Sequence, residues 1–437
     1  MNDRKTVVIL YSKDDNDSAA LLLEDFINSR YSDFFAVAIP DTEYLYSPMV
    51  KIKRSMRKIF STNFFFLNKL YYRIENWFVL RKFEKQKNSS KTVQLNQKTK
   101  NSNEDEEKDT DREKLKNVFY RYDPEIVLCL TPISHRLAIK YKNKLQLNDL
   151  KIYALITDYV LDKRFIENQT DGYFVQNEEV RERIIFNEIK NQFIEVVGTP
   201  ISEAILVKHD KAAVFEKYGI PNDDRKIILI TAGRIVTDQL KEVIAYYVKS
   251  NLDTIFLVNA RGSKSLLSFM KLLINKNENR LFALNEIDDM AEIYSIIDIA
   301  VTAPTSLTTY ELLMRHKPFI LIEGAPTSER ENASYLISKQ VALSYHSKEE
   351  LISYTDKMLN DEDFSYNFIE RSLLFENKNT LELIASKLYK EAKTIFFKRH
   401  PALNDTQMLN NTDKNSVLMD NKNLEERDKK GILIKKK

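Results

Sequence analysis

The chain has 437 residues, which is too long for one ordinary hydrophobic core and long enough for two. Its 67 Lys and Arg residues nearly balance 64 Asp and Glu residues, so the overall charge gives no reason to expect a nucleic-acid partner. A single cysteine, Cys129, excludes a disulfide within the chain, and the five His residues lack the short spacings of metal sites.

The lengths of the apolar segments indicate whether the chain has a signal peptide or a membrane-spanning helix. The stretch from Val7 to Leu10 is too short for a signal peptide, and no apolar run approaches the ~18 residues that a membrane-spanning helix requires. We therefore expect a cytoplasmic protein whose contact with a membrane, if it has one, is peripheral.

Short runs of β-branched and aromatic residues alternate with helical patterns along most of the chain. This alternation is typical of parallel sheets wrapped by helices. The first series of predicted strands is Thr6–Tyr11, Phe35–Ile39, Ile126–Leu130, Ile152–Ile156, Gly172–Val175 and Phe193–Val197. After a turn-rich linker at 219–224, a second series follows: Lys226–Thr231, Thr254–Val258, Leu281–Leu284, Ile299–Val301, Pro318–Ile322 and Val341–Leu343.

Two such series predict an α/β protein with two Rossmann-like, doubly wound domains that face each other across a cleft. We assign residues 1–220 to the N-terminal domain and residues 221–380 to the C-terminal domain. Residues 381–400 have helical spacing and are expected to return towards the N-terminal domain. An insert at 86–113 and a tail at 401–437 are polar throughout, which predicts disorder because little apolar surface is available to offset the ordering entropy.

The segment 48–85 combines cations with aromatic side chains at helical spacing. Such a segment suits a helix that lies in the membrane interface and binds anionic lipid. A core helix with a solvated basic face and a nucleic-acid patch are the alternatives. The candidate membrane-binding residues are Lys51, Lys53, Arg54, Arg57, Lys58, Phe64, Phe65 and Trp77.

A loop rich in hydroxyl groups follows the strand that ends at Val301. A helix is predicted to begin near Ser306, so its backbone N–H groups and its dipole would point at a ligand in the loop, for which a diphosphate is suited. Glu311, about one turn further, would then lie near a ribose. The alternative is an ordinary helix capped by Thr305 or Ser306 with a surface glutamate.

The same stretch resembles the donor signature of glycosyltransferase family 28. The matching positions are Pro304, Leu307, Thr308, Glu311, Pro318, Glu329, Asn332 and Ala333. Blocks in the first half, among them Ile156-Thr157-Asp158-Tyr159 and Val197-Gly198-Thr199-Pro200, are similar to monogalactosyldiacylglycerol synthases and bacterial processive diacylglycerol glucosyltransferases.

This resemblance implies the fold called GT-B, a UDP-hexose donor, and no cofactor or bound metal ion. It implies a diacylglycerol or glycolipid acceptor and an anionic membrane surface on the inner face of the cell membrane as further partners, with no nucleic acid, and it favours the interfacial interpretation of residues 48–85. By position, the donor would be bound by Gly233, Arg234, Ile287, Thr305, Ser306, Thr308, Glu311, Glu329 and Asn332.

The chain departs from the family pattern in two loops. Thr305 and Ser306 replace two glycines of the donor loop, and Ser18 stands where the family has a histidine after a glycine-rich turn. The remaining candidates for the catalytic base are Asp158 and Asp17, although each also suits a cap or turn residue.

The predicted function is therefore an inverting transfer of glucose or galactose from a UDP-sugar to diacylglycerol. The alternatives are a catalytically degenerate member of the same fold that binds membranes, and an enzyme related to UDP-sugar epimerases or peptidoglycan-type transferases. The altered N-terminal loop motivates the first alternative, and the shared two-domain scaffold motivates the second.

Overall fold

The computed structural model describes residues 4–13, 17–44, 110–187, 193–231, 238–260, 263–275, 277–284, 289–322, 327–375 and 379–401. Within this part of the chain, two six-stranded parallel sheets are flanked by helices. The basic aromatic segment 48–85, the insert up to residue 109 and the tail from residue 402 lie outside the described residues.

The first sheet has the strand order β2-β1-β3-β4-β5-β6. Its strands are β1 (Lys5–Tyr11), β2 (Phe34–Pro40), β3 (Ile126–Cys129), β4 (Lys151–Ile156), β5 (Gly172–Val175) and β6 (Phe193–Val196). The helices of this half are α1 (Asp17–Arg30), α2 (Asp41–Tyr44), α3 (Thr110–Tyr122), α4 (Pro132–Lys144) and α5 (Glu178–Phe186).

The second sheet has the order β12-β11-β10-β7-β8-β9. Its strands are β7 (Lys226–Thr231), β8 (Thr254–Asn259), β9 (Leu281–Leu284), β10 (Ile299–Thr302), β11 (Phe319–Leu321) and β12 (Leu343–Ser344). The remaining helices are α6 (Lys211–Tyr218), α7 (Asp238–Val248), α8 (Lys264–Ile274), α9 (Met290–Ile296), α10 (Ser306–Met314), α11 (Thr327–Ser338), α12 (Lys348–Asn360), α13 (Glu362–Ser372) and α14 (Thr380–Arg399).

The predicted fold class is confirmed, and each predicted strand overlaps an observed one. Helices cover both faces of each sheet, so the central strands are buried along most of their length. Strand β1, for example, is buried at every residue. Buried apolar clusters consequently lie on both faces of each sheet.

The chain between β6 and β7 packs on the second sheet, although the sequence placed residues up to 220 in the first domain. Ile201, Ile205 and Val214 are buried in the same core as Leu229 of β7. A short 3-10 turn at Glu203–Leu206 and helix α6 present these side chains to α9 and α10. The turn residues at 219–224 mark a break in secondary structure, and they do not reveal which core the preceding helix joins.

Helix α14 carries the chain back across the first sheet. Its apolar residues Leu381, Ile384 and Leu388 are buried in the core that covers β1 and β3. At the crossing itself, the Thr380 hydroxyl donates a hydrogen bond of 2.5 Å to the backbone oxygen of Val197. The two segments that connect the domains are therefore joined directly to each other.

Helix α3 begins inside the segment that the sequence assigned to the disordered insert. The helix starts at Thr110, so the predicted boundary at residue 113 is four residues too late. The residues of this first turn are polar, and composition alone does not distinguish them from disordered chain.

Candidate active site

The loop after β10 leaves the second sheet at the point where the strand order reverses. Strands β7 and β10 are neighbours there, although they are far apart in sequence, and Thr302 pairs with Thr231. The Ala303 N–H continues this contact by donating to the Thr231 oxygen at 3.2 Å. In doubly wound sheets, ligands bind in the crevice that forms at such a reversal.

Helix α10 begins in this crevice without an internal cap. Thr305 occupies the N-cap position in an extended conformation, but its side chain makes no capping hydrogen bond. The first turn of α10 holds no acidic residue. The Thr305 hydroxyl is buried and has no hydrogen-bond partner within the described protein. This helix end therefore offers backbone N–H groups, partial positive charge and one further hydroxyl donor to an anion.

Two other helices, in contrast, begin with a side-chain cap. At α9, the Asp289 carboxylate accepts from the Ala291 N–H, and at α4 the Thr131 hydroxyl accepts from the Ser134 N–H. At the start of α10, Ser306 is partly exposed, whereas Thr308 is buried. Of the predicted diphosphate ligands, Ser306 thus presents its side chain to the crevice more openly than Thr308 does.

Glu311 lies one turn further along α10 and is held by a phenol. The Tyr294 hydroxyl, on α9, donates to Glu311 Oε2 at 2.8 Å, and Tyr294 is almost fully buried. This bond fixes the direction of the carboxylate. An ionised carboxylate has about four acceptor positions, and the bond from Tyr294 uses one of them. Tyr294 was not predicted as a site residue.

Asp158 enters the same region from the first domain. It follows β4, at the carboxyl edge of the first sheet, and its Oδ1 accepts from Asn332 Nδ2 of α11 at 3.0 Å. The Asn332 oxygen accepts from the Tyr159 N–H at 3.1 Å. Asn332 Nδ2 also donates to the oxygen of Pro304, in the donor loop, at 3.4 Å. One amide therefore connects the predicted base with the predicted diphosphate loop.

Tyr159 makes a second connection across the cleft. Its hydroxyl lies 3.1 Å from the Thr309 hydroxyl of α10, and its ring stacks on Tyr335 of α11 with centroids 5.2 Å apart. Burial raises the pKa of Tyr159 well above its ordinary value, so the side chain remains a neutral phenol. Sequence reasoning identified the Thr-Asp-Tyr block but missed Tyr159, Thr309 and Tyr335 as contacts between the domains.

Charged groups surround this junction. Burial raises the pKa of Glu331, and the nearby carboxylates of Asp162 and Asp158 raise it further, while Arg183 and Arg330 lower it. These side chains are therefore close enough to change the affinity of Glu331 for a proton. Such coupling among carboxylates is frequent where a general base operates.

The other predicted site residues are placed as follows. Asp17 is the first residue of α1, and its Oδ1 accepts from the N–H of the next residue, Ser18, at 2.6 Å. Glu329 lies in the first turn of α11, about one turn before Asn332, and is partly buried. The predicted donor residues Gly233, Arg234 and Ile287 lie outside the described residues, as do the predicted membrane-binding residues Lys51, Lys53, Arg54, Arg57, Lys58, Phe64, Phe65 and Trp77.

The described part of the chain also bears on metal binding and on membrane insertion. No group of three or more His, Cys, Asp or Glu side chains there could hold a metal ion. None of the helices described here combines the length and the apolar character needed to cross a bilayer.

Comparison with known proteins supports the sequence resemblance. A family model described as monogalactosyldiacylglycerol (MGDG) synthase matches residues 15–201. The processive diacylglycerol beta-glucosyltransferase of Bacillus cereus (strain G9842) is 26% identical over 255 residues, which cover 57% of this chain and 64% of that protein. The match thus spans slightly less than two thirds of this relative's length.

Solved structures share the two-domain fold. MurG of Acinetobacter baumannii superposes with a TM-score of 0.56 at 12% identity, over 88% of this chain and 99% of that chain. The UDP-GlcNAc 2-epimerase of Neisseria meningitidis, bound to UDP-GlcNAc, superposes with a TM-score of 0.55 at 12% identity, over 88% of this chain and 100% of that chain. The resemblance to diacylglycerol glycosyltransferases and the GT-B fold are therefore both confirmed.

Proposed function

We propose that this protein transfers a hexose from a UDP-sugar to diacylglycerol, or to a glycolipid made from it, at a membrane surface. The observation that carries the proposal is the uncapped start of α10. Asn332 links the loop before this helix to Asp158 on the other side of the cleft. The anion site at the start of α10 and the carboxylate of Asp158 thus lie close together where the two domains face each other. The names of the similar proteins supply the substrate classes.

In the proposed reaction, the acceptor hydroxyl attacks the anomeric carbon of the sugar while the bond to UDP breaks. Asp158 takes the proton of the attacking hydroxyl. The backbone N–H groups at the start of α10 and the Thr305 hydroxyl stabilise the negative charge that develops on the departing diphosphate. A single displacement of this kind inverts the configuration of the anomeric carbon.

The membrane part of the proposal depends on the segment 48–85. Its basic and aromatic composition suits the interface of an anionic bilayer, where each Lys or Arg contributes about 1 kcal/mol near the surface. We propose that this segment brings the cleft to a lipid acceptor on the cytosolic face of the membrane. Glucose and galactose both remain candidates for the transferred sugar.

The donor site can be tested by calorimetry with UDP. Replacing Glu311 by Ala removes the proposed ribose acceptor, so we expect UDP affinity to fall about 10- to 100-fold, which corresponds to the loss of one or two hydrogen bonds to a charged group. The matched control is Glu350→Ala on α12, because Glu350 likewise accepts from a tyrosine, Tyr354, at 2.6 Å. Unchanged UDP binding by Glu311→Ala, or no binding of UDP by the wild type, would contradict the donor site.

The reaction itself can be tested with labelled UDP-glucose and UDP-galactose and liposomes that contain diacylglycerol. Labelled glycolipid supports the proposal. Liposome binding without product would instead indicate a catalytically degenerate relative, and conversion of the UDP-sugar in the absence of lipid would indicate an epimerase-like enzyme.

A further inference from the structure

Asn332 has the environment of a residue that organises a site rather than one that touches a ligand. Only 1% of its surface is exposed, and both ends of its amide are engaged. Its oxygen accepts from the Tyr159 N–H at 3.1 Å. Because a backbone N–H can only donate, this contact fixes which end of the amide is oxygen, and the NH₂ group must face Asp158 and the Pro304 oxygen.

We infer that Asn332 is a positioning residue that orients the Asp158 carboxylate towards the acceptor and sets its distance from the donor loop. The inference rests on the proposed transferase function. Its bond to Asp158 Oδ1, at 3.0 Å, favours the ionised carboxylate, and its contact with Pro304 holds that carboxylate beside the start of α10. Family resemblance assigned Asn332 to the donor, whereas its contacts assign it to the junction between donor loop and base.

The stacked pair of Tyr159 and Tyr335 makes this junction stiff. Asn332 and Tyr335 lie three residues apart on α11 and therefore on one face of the helix, which is the face that meets the loop after β4. The Tyr159 hydroxyl reaches Thr309 on α10 as well. Asn332, Tyr335 and Thr309 of the donor domain thus all contact the loop that carries Asp158. We therefore expect a change at Asn332 to alter the direction of the Asp158 side chain without displacing the whole loop.

Asn332→Asp tests this role, because it keeps the size of the side chain and an acceptor for Tyr159 while placing a carboxylate against Asp158. We expect kcat to fall about 10- to 100-fold from misplacement of the base. The acidic limb of the pH–rate profile should move up by about one unit or more, because two neighbouring carboxylates resist ionisation together. UDP affinity should fall less than kcat does, since the backbone N–H groups at the start of α10 are unchanged.

The other charged groups at the junction are the same in the wild type and in Asn332→Asp, so they do not produce the expected shift of the acidic limb. Glu331 and Arg330 lie on α11, Asp162 lies on the loop of Asp158, and Arg183 lies on α5. Asn360→Asp is the matched control, because Asn360 also donates to an aspartate, Asp356, at 2.8 Å, but on the exposed face of α12. Its pH profile should equal that of the wild type.

A double variant separates positioning from a purely structural role. Asp158→Asn combined with Asn332→Asp regenerates an amide–carboxylate bond with its direction reversed. We expect thermal stability to recover relative to Asn332→Asp alone, whereas transfer should be lost altogether, because Asp158→Asn removes the proposed base and the carboxylate at position 332 is buried. Recovery of transfer would overturn the inference.

The outcomes for the single variant are equally distinct. An active wild type whose Asn332→Asp variant keeps the same pH profile overturns this inference alone. A wild type without transfer overturns the proposed function and this inference with it. Should Asn332→Asp fail to fold, Asn332→Ala removes the amide without adding charge, and an upward shift of the acidic limb is expected there too; an unshifted limb overturns the inference.

Discussion

The Thr305 hydroxyl offers a test in which binding and stability are expected to change in opposite directions. The hydroxyl is buried and has no hydrogen-bond partner within the described protein. Burial of an unsatisfied hydroxyl costs about 1–3 kcal/mol, so the folded protein tolerates an unfavourable group at this place. We interpret this group as a donor kept for the diphosphate of the sugar nucleotide.

Thr305→Val replaces the hydroxyl with a methyl group of similar size. The extended backbone of Thr305, with φ of −74° and ψ of 137°, suits valine. Loss of an N-cap ordinarily costs about 1 kcal/mol, but the side chain makes no capping bond here, so that cost does not apply. We expect the free protein to be unchanged or up to about 1 kcal/mol more stable.

Binding should respond in the opposite sense. A hydrogen bond from a hydroxyl to a charged phosphate oxygen is worth about 1.5–3 kcal/mol, which predicts a loss of UDP affinity of about 10- to 150-fold. Calorimetric titration with UDP measures the affinity, and the midpoint of urea unfolding reports the stability.

Thr254→Val supplies the matched control for both measurements. Thr254 begins strand β8, and its hydroxyl is likewise buried without a partner in the described structure. The control should gain similar stability and bind UDP as the wild type does. The reasoning is refuted if Thr305→Val binds UDP within about twofold of the wild type, or if it destabilises the protein where Thr254→Val does not.

Two further predictions concern stability. Gly198→Ala should destabilise the protein by about 2–4 kcal/mol, because Gly198 has φ of +85° and an added Cβ would lie 2.6 Å from the Tyr310 hydroxyl. Gly219 has φ of +62° but open space around it, so Gly219→Ala should cost only about 1 kcal/mol. Equal shifts in the urea midpoint of the two variants would contradict this account. Burial lowers the pKa of His135 to about 4 from 6.5. Between pH 6.5 and pH 4 the unfolded chain therefore binds more protons than the folded protein does. The free energy of unfolding should consequently fall by up to about 3 kcal/mol as the pH falls through this range. The His135→Gln variant should lose this dependence, and parallel stability–pH curves for the two proteins would show that another group is responsible.

The fold was predictable because it depends on local patterns. Strands such as Gly172–Val175 and Lys226–Thr231 are continuous apolar runs bounded by polar residues, and they were located with correct ends. Residues 201–220 were assigned to the first domain, but their apolar side chains pack on the second sheet. The apolar spacing within helix α6 indicates that one face is buried, but it does not indicate which sheet covers that face.

The candidate site was predictable only in part, for a related reason. The hydroxyl-rich loop before Ser306 and the carboxylate of Asp158 each follow a strand, and the carboxyl ends of parallel strands are where polar residues of a site gather. Tyr294 as the partner of Glu311, and Tyr159 as the partner of Thr309, depend on contacts between elements 17 and 150 residues apart. No local pattern specifies such pairs.

The contacts across the cleft make the geometry of the site depend on how the two domains are joined. Asp158 belongs to the first domain, but the side chains that hold its loop, Asn332 and Tyr335, belong to a helix of the second. The chain passes between the domains at Val197 and again at Thr380, and these two crossings share a hydrogen bond. Because Tyr310 of the donor helix α10 lies against Gly198 beside the first crossing, a side chain added there presses on the helix that begins at the proposed diphosphate site. A change at the crossing is therefore expected to alter donor binding as well as stability, although it touches neither proposed substrate.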